Sequence, residues 1–388
     1  ISSYLAKVYN ITDGPLQSDL QAAMFSVWYI QYIHNMDFKD MTDGIVTGIE
    51  TGVTLNARDC LNIANHSHYY SDDPDLDWVK HAFYLVNNNS DDSVKYEEAY
   101  DALATSQLDY DCKFRPNNPI CRGYVESKYM GHVVQTDFLD MKLKTMCRGK
   151  NLQTAQEKSK LFCWYEREIH PSYKIGPIKA EWLSLHPKTE VVQFYDIITD
   201  RVMDSLRYFA YDNATRDGVM VEINAVVSPL ERQIIFAFPD PETNEESMYV
   251  SQLAERTTGL KLVNKTGGVS LRLTGYGPGG HRGKHLDAPA QTGTFMIYIN
   301  DVKKGGETTF LTAGVSALPI KGSAVFWYNV FTDGTADKSF DHGGCPIVFG
   351  EKWVAVRWIV DAWQDHLKCD LKPQTPYEIL VNGKSKYK

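Results

Sequence analysis

Two residues that could bind a metal ion, His285 and Asp287, lie two positions apart in the stretch GHRGKHLDAPAQTG. On a β-strand, residues i and i+2 point to the same face, so this spacing lets an imidazole nitrogen and a carboxylate oxygen meet at one point. The third ligand would come from another strand, and the candidate is His342 in SFDHGGCPI, just before an apolar stretch. Two histidines and one carboxylate leave coordination positions open, which suits Fe(II) with a bidentate cosubstrate and dioxygen.

A basic residue, Lys352 in GEKWVAVRW, follows ten residues after His342. Its ammonium group could hold the far carboxylate of a dicarboxylic oxo acid. An isolated lysine in a turn is usually a solvated surface group. The prediction therefore rests on the joint arrangement of HLD, TFMIYINDVKKGGETTF, GSAVFWYNVF and HGGCPIVFGEKWVAVRW.

The elements that must position these residues are strands. In GVSLRLTGYG, apolar Val269, Leu271 and Leu273 alternate with polar residues, and TFMIYIN, SAVFWYNV and KWVAVRWIV follow, divided by turn-rich KKGGE, PIKG and FGEK. Many short strands with glycine turns and no long helix between them predict an antiparallel sandwich or jelly roll. Earlier strands are predicted at VVQFYDI and VMVEINAVV, with a helix over residues 199–209 between them.

The first part of the chain is predicted to be helical. Helical spacing of apolar residues predicts them in SDLQAAMFSVWYIQYIHNM, ARDCLNIANHSHYY, DLDWVKHAFYLV and VKYEEAYDALATSQL. A loop is expected at CKFRPNNPICRGY, and a further helix over residues 124–146. The fold class is therefore α+β, with the helices first and the strands last.

Composition restricts the partners and the compartment. The net charge of -9 is spread along the chain without a basic stripe, which argues against nucleic acid, and no apolar run approaches the length of a membrane span. Because the chain begins at Ile1, we expect a processed or trimmed protein. Five sequons, at Asn10, Asn65, Asn88, Asn213 and Asn264, would accept glycans in the secretory pathway.

The seven cysteines include three pairs of neighbours, Cys112 with Cys121, Cys147 with Cys163 and Cys345 with Cys369. No Cys-x-x-Cys spacing occurs, so the pattern favours disulfides over zinc. The alternative, reduced cysteines in a cytosolic protein, stays open. The remaining Cys60 lies on an apolar helical face and is interpreted as a small buried side chain.

Together these stretches resemble the alpha subunits of collagen-type prolyl 4-hydroxylases, which are dioxygenases dependent on Fe(II) and 2-oxoglutarate. The resemblance is strong from about residue 268 to residue 369; MCRGK, KLFCWYE and NARDCLNIANHSHYY extend it towards the N-terminus. It implies a TPR-like helical region followed by a double-stranded β-helix (jelly roll). The domains it implies are a remnant of a dimerising helical region over 1–52, a helical peptide-binding domain over 53–146 and a catalytic domain over 147–388.

The resemblance also assigns roles to residues. It makes His285, Asp287 and His342 the iron ligands and Lys352 the anchor of 2-oxoglutarate. It implies that Tyr276 and Thr294 help to hold the cosubstrate, that Trp358 lies near the active site, and that ascorbate rescues oxidised iron. It pairs Cys147 with Cys163 and Cys345 with Cys369, whereas the pairing of Cys112 with Cys121 is inferred from proximity alone. It assigns no role to His281, which we interpret as a surface loop residue.

The activity so implied is hydroxylation of peptidyl proline to 4-hydroxyproline in collagen-like or other proline-rich proteins of the endoplasmic reticulum lumen. Protein disulfide isomerase is the implied partner subunit, and it would have to supply luminal retention because KSKYK is no retention signal. A homodimer through the N-terminal helices is a further expectation.

Three departures from the family weaken the substrate assignment. The segment APAQTGT after Asp287 is short, residues 216–243 lack the arginine and serine pattern expected of peptide-closing loops, and one helix pair is missing between residues 89 and 124. Two alternatives therefore stay open. One is a peptide-binding subunit without turnover, and the other is an oxygenase of a different side chain or of a small molecule.

Overall fold

The computed structural model describes residues 17–67, 76–88, 91–115, 118–121, 141–185, 188–213, 234–262, 270–287, 290–331, 333–360 and 364. Two compact units divide them, one within Asp13–Asp140 and the other comprising the described residues from Met141 onward. The subdivision into 1–52, 53–146 and 147–388 stays a prediction. Mixed helix and sheet confirms the α+β class. Among the described residues, no helix is both long and apolar enough to cross a membrane.

The first unit is helical, as the apolar spacing predicts. Its core includes the buried rings of Phe25, Tyr29 and Trp78 together with Cys60, which confirms the buried position expected of that cysteine. Cys112 forms a disulfide with Cys121, which confirms the pairing inferred from proximity. The elements are α1 (Gln17–His34), α2 (Phe38–Thr42), β1 (Ile45–Val46), β2 (Ile49–Glu50), α3 (Ala57–Ser67), α4 (Leu76–Asn88), α5 (Tyr96–Phe114) and a 3-10 turn (Pro119–Cys121).

The second unit contains an eight-stranded and a four-stranded antiparallel sheet, plus one strand pair. Their orders are β3-β4-β5-β13-β9-β16-β7-β6, β12-β11-β14-β8 and β10-β15. The strands are β3 (Cys163–Glu166), β4 (Ile178–Ser184), β5 (Val191–Phe194), β6 (Ile234–Ala237), β7 (Arg272–Tyr276), β8 (Arg282–His285), β9 (Gln291–Tyr298), β10 (Lys304–Gly305), β11 (Thr308–Phe310), β12 (Val315–Ala317), β13 (Ala324–Tyr328), β14 (His342–Gly344), β15 (Ile347–Phe349) and β16 (Lys352–Val360). The helices are α6 (Met141–Cys147), α7 (Ala155–Lys158), α8 (Asp200–Asn213) and α9 (Glu245–Thr258).

Both faces of the large sheet are buried, which explains why β16 is almost continuously apolar in sequence. On one face, Trp353, Ala355 and Ile359 belong to a core that α8 and α9 complete. On the other face, Val354 joins Phe310, Trp327 and further residues in a second core between the two sheets. The predicted antiparallel strands are thus confirmed, and the alternation along β16 aims every second side chain at the space between the sheets.

Helix α9 was not predicted from the sequence. Asn244 caps its start by accepting a hydrogen bond from the backbone N–H of Ser247 at 2.8 Å, and Gly259 ends it with a φ of 72°. These are standard helix signals, but acidic and hydroxyl residues weaken the apolar pattern. The predicted strand at VMVEINAVV, the sequons at Asn10 and Asn264, and most of the helix over 124–146 lie outside the described residues.

Two predicted disulfides are wrong, because Cys147 is bonded to Cys345 at an S–S distance of 2.05 Å. Cys163 is exposed and free, on a strand at the edge of the large sheet, and Cys369 lies outside the described residues. The physical reason is packing: α6 lies against the four-stranded sheet and carries Cys147 at its end, so a cysteine distant in sequence is the nearer one in space.

Replacing both Cys147 and Cys345 by serine is expected to lower the free energy of unfolding by about 3 to 5 kcal/mol, since the bond closes a very long loop. Denaturant unfolding measures this, and Cys163→Ser is the control that leaves stability unchanged. A cross-linked peptide joining Cys147 to Cys163 in a non-reducing digest would contradict the assignment.

Candidate metal centre

The three predicted metal ligands lie together between the two sheets. Strands β8 and β14 pair with His342 directly opposite His285, and Asp287 follows two residues beyond the end of β8. One potential ligand atom from each of the three residues lies within 4.8 Å of the others. Residues far apart in sequence thus form a single candidate site.

Hydrogen bonds to the backbone orient both imidazoles. Nδ1 of His285 lies 2.8 Å from the carbonyl oxygen of Gly283, and Nδ1 of His342 lies 3.0 Å from that of Phe340. Because a carbonyl oxygen only accepts, each Nδ1 must carry the hydrogen. The lone pair of each ring is then on Nε2, which is the arrangement a metal ligand needs.

The protonation state also favours metal binding. Burial lowers the pKa of His285 well below its ordinary value, and the nearby His342 and Arg282 lower it further. Burial lowers the pKa of His342 as well, against the opposing charge of Asp287. Both rings are therefore neutral near neutral pH, and neutral imidazole is the form that binds a metal.

The carboxylate of Asp287 is held by a short chain of polar groups. The hydroxyl of Thr294 donates to Oδ2 of Asp287 at 2.6 Å, and Nδ2 of Asn329 donates to the same hydroxyl oxygen at 2.9 Å. The amide donor directs the hydroxyl hydrogen towards the carboxylate, which leaves Oδ1 as the oxygen better placed for a metal. Thr294 was predicted to hold the cosubstrate, and that role stays a prediction; Asn329 was not identified from the sequence.

Lys352 is buried, with 5% of its surface exposed. Its Nζ donates to the carbonyl oxygen of Gly306 at 2.7 Å and to Oγ1 of Thr308 at 3.4 Å, and it lies 5.7 Å from the ring centroid of Tyr276. Burial lowers the pKa of Lys352 to about 8, although the charge of Glu307 opposes the shift. Such a cation gains most from an anionic ligand, because the ligand replaces the solvation that burial removed.

All seven residues singled out from the sequence line one cavity of about 230 Å³. Trp358 lies opposite Thr294 in the pairing of β16 with β9, and the guanidinium of Arg272 is 5.5 Å from the centroid of its indole. The predicted set is His285, Asp287, His342, Lys352, Tyr276, Thr294 and Trp358; sequence reasoning missed Arg272, Arg282, Gln291, Thr308, Trp327 and His281 in the same lining.

The interpretation of His281 as a surface loop residue is wrong. The side chain is 4% exposed and lines the cavity, and Nδ1 lies 2.9 Å from the carbonyl oxygen of Gly279. Burial lowers the pKa of His281 to about 4. The resemblance assigned no role to His281. The structure instead bonds the backbone here to β15, with Gly279 N–H donating to the carbonyl oxygen of Ile347 at 2.8 Å.

The donor set fits a ferrous ion. Two neutral nitrogen donors and one carboxylate oxygen form one face, and the cavity leaves room for further ligands on the other. Within the described part of the chain no fourth His, Cys, Asp or Glu joins this cluster, so it lacks the four protein ligands of a closed structural zinc site.

Comparison with known proteins agrees with this chemistry. Residues 271–360 match the family described as the 2OG-Fe(II) oxygenase superfamily. Prolyl 4-hydroxylase subunit alpha-1 of Gallus gallus is 32% identical over 243 residues, which are 58% of this chain and 46% of the relative. Subunit alpha-1 of Mus musculus is 24% identical over 413 residues, 90% of this chain and 75% of the relative. The chain therefore spans about half to three quarters of the length of these relatives.

Among solved structures, the 2OG complex of the viral collagen prolyl hydroxylase vCPH from Paramecium Bursaria Chlorella virus-1 is 21% identical. The match covers 43% of this chain and 93% of that chain, with a TM-score of 0.34.

Thr294→Val keeps the shape of the side chain but removes the donor to Asp287, so we expect about tenfold weaker Fe(II) binding. Thr294→Ser restores the hydroxyl and is the matched control. Anaerobic titration calorimetry on folded protein measures the affinity. Equal affinities in all three proteins would show that the hydroxyl does not position the carboxylate.

Proposed function

Because residues 271–360 belong to the 2OG-Fe(II) oxygenase superfamily and the chain is a homologue of prolyl 4-hydroxylase alpha subunits, we propose that it hydroxylates peptidyl proline with Fe(II) and 2-oxoglutarate. One observation carries the proposal: His285, Asp287, His342 and the buried cation of Lys352 line the same cavity. A binding protein without turnover has no need for all four groups together.

Each group has a task in this reaction. Nε2 of both histidines and Oδ1 of Asp287 would hold the ion, which when bound activates dioxygen for oxidation of 2-oxoglutarate and of the substrate. Lys352 would pair with the far carboxylate of 2-oxoglutarate, with the hydroxyl of Thr308 beside it. The half-buried ring of Tyr276 and the apolar side chain of Val354 in the lining help to exclude water.

The open end of the cavity suits a peptide. Gln291 lines the cavity, and its buried Oε1 has no hydrogen-bond partner among the described residues, so a backbone N–H of a substrate could donate to it. The indole of Trp358 offers a flat apolar surface to a proline ring. These two groups support a peptide substrate over a fully charged small molecule.

An aromatic cluster in the helical unit, formed by Phe83, Tyr96 and Tyr100, supports the same substrate. The rings of Tyr96 and Tyr100 are stacked at 6.4 Å, and both side chains are about half exposed. Phe83 lies 5.5 Å from Tyr96. Exposed aromatic rings are the surfaces that bind proline-rich segments in the extended polyproline conformation. We assign the part of the helical unit that falls within residues 53–146 to peptide binding.

The finer assignments of fold and compartment form part of the proposal. The two facing sheets suit a double-stranded β-helix, and the helix pairs suit a TPR-like array. The two disulfides suit an oxidising compartment, and Asn65, Asn88 and Asn213 are exposed and so accessible to glycosylation. We propose residence in the endoplasmic reticulum lumen, ascorbate as reductant, protein disulfide isomerase as partner, and a homodimer.

The test uses the purified chain, with protein disulfide isomerase where assembly needs it, in Fe(II), 2-oxoglutarate and ascorbate. A proline-rich peptide should gain one oxygen atom as 2-oxoglutarate is decarboxylated, and His285→Ala should abolish both. Decarboxylation without peptide oxidation would favour the alternative of another side chain or a small molecule. No decarboxylation at all would favour a subunit without turnover.

Binding of 2-oxoglutarate should weaken as the pH rises. Burial lowers the pKa of Lys352 to about 8, so the free protein loses this positive charge above that pH, and the dissociation constant should rise by up to about tenfold per pH unit. Calorimetry between about pH 7 and about pH 9.5 tests this. Lys352→Arg keeps its charge throughout and should give a flat profile; a flat profile in the wild type would refute the assignment.

Tyr100→Ala should raise the KM for a long proline-rich peptide about three- to tenfold, because an exposed stacking surface is lost. The KM for 2-oxoglutarate should not change. Tyr208→Ala, which removes an exposed tyrosine from α8 in the other unit, is the control. If both variants behave alike in steady-state assays, the aromatic cluster does not bind substrate.

A further inference from the structure

Arg282 lines the cavity although it lies three residues before His285 on β8. In a regular strand, residues three apart point to opposite faces. The pairing of β8 with β14 is irregular, however, because His342 lies opposite His285 and Gly344 lies opposite Arg282, with a shift in register between them. Such irregularities change the direction in which side chains point, and here the shift lets Arg282 reach the cavity.

The charge of Arg282 is not neutralised within the described part of the chain. Lys284 on the same strand forms an ion pair with Asp341 at 3.3 Å. Arg282 forms no side-chain hydrogen bond or ion pair with any described residue, and it is exposed at the rim. The two neighbouring cations on β8 therefore differ: one is satisfied by the protein and one is available to a ligand.

Arg282 belongs to the wall of the cavity that also contains the candidate metal ligands. It lies in the same lining as His285, His342 and Lys352. Because its side chain is also exposed, Arg282 can meet a ligand that enters this cavity from solvent.

On the premise of the proposed function, the charges in the occupied site indicate which kind of ligand suits Arg282. A ferrous ion and Lys352 carry three positive charges, and Asp287 with doubly ionised 2-oxoglutarate carries three negative ones. These charges cancel, and Arg272 and Arg282, which also line the cavity, remain as two further cations. A neutral proline-rich segment would bring no counter-charge to the exposed guanidinium of Arg282, whereas a substrate carboxylate beside it would add a favourable charge–charge interaction.

We propose that the substrate is an acidic peptide, with an aspartate or glutamate next to the hydroxylated residue, and that Arg282 recognises this carboxylate. The planar guanidinium can donate two parallel hydrogen bonds to a carboxylate, which gives direction as well as attraction. Arg282 is a specificity-determining residue in this proposal, because it touches the substrate and leaves the metal and 2-oxoglutarate to other side chains. The substrate class follows from the cavity rim and is independent of the aromatic cluster in the helical unit.

The experiment compares two peptides that differ only in a glutamate or a glutamine next to the target proline. Wild-type protein should hydroxylate the glutamate peptide with about tenfold higher kcat/KM, since charge-assisted pairs are stronger than neutral ones. Arg282→Gln should remove this preference, and Arg282→Glu should prefer a third peptide with lysine at that position. Lys284→Gln, which removes the neighbouring charge, should keep the wild-type preference.

A binding measurement accompanies the kinetics. Fluorescence anisotropy of labelled peptides, under anaerobic conditions with Fe(II) and 2-oxoglutarate present, should give the same ranking and a preference that weakens with salt. Hydroxylation of the glutamate and glutamine peptides at equal kcat/KM would overturn the inference while the proposed function stands. Absence of 2-oxoglutarate decarboxylation with every peptide would overturn the proposed function, and the inference with it.

Discussion

The antiparallel pairing of β8 with β14 is the constraint on which the site depends. It sets His342 opposite His285, and backbone carbonyl oxygens two residues before each histidine fix the tautomer of each ring. A slip of one residue would turn one imidazole away from the other, because strand side chains alternate between faces. The core between the sheets holds this register, since Phe310 on β11 packs 5.8 Å from the ring of His342 and Trp327 on β13 packs 4.9 Å from it.

The site contains buried polar groups that a ligand would solvate or bind. Lys352 is a buried cation with two oxygen acceptors, the histidines are held neutral by burial, and Gln291 carries a buried oxygen without a partner among the described residues. Each of these is unfavourable in the free protein, because buried polar groups lose their hydration. The surrounding strands tolerate this because their other face packs against α8 and α9. A second core between the two sheets, which includes Phe310 and Trp327, packs beside the site itself.

Sequence reasoning succeeded where the pattern was strong and local. The alternating or apolar runs of β7, β9, β13 and β16 predicted strands correctly, and the spacing of His285 and Asp287 indicated that they share a face. Strands β8 and β14 were harder to predict, because RGKH and HGG contain few apolar residues and form strands only through their pairing. Two errors had different origins. Cys147 and Cys163 were paired as neighbours in sequence and by the resemblance, whereas the fold brings Cys345 to Cys147. His281 was interpreted as a surface loop residue because the resemblance gave it no role, although the fold buries it. Contacts such as Thr294 with Asn329 depend on sheet order, which no spacing reveals.

The disulfide of Cys147 with Cys345 connects a covalent bond between distant cysteines to the candidate metal site. Cys345 directly follows β14, lines the cavity, and is covalently tied to the end of α6. Helix α6 and strand β8 both lie close to Gly343 on β14. A Cβ at this position would lie 3.3 Å from Cδ1 of Leu143 on α6 and 3.1 Å from the carbonyl oxygen of Arg282 on β8, so a side chain here would force these neighbours to shift by a few tenths of an ångström. The bond therefore ties the end of the strand that carries His342 to α6, in addition to the pairing of that strand with β11 and β8. Oxidation of two distant cysteines and the placement of a candidate metal ligand are thus coupled through one strand. A chain folded under reducing conditions would keep the ligand residues but lose this restraint on one of them.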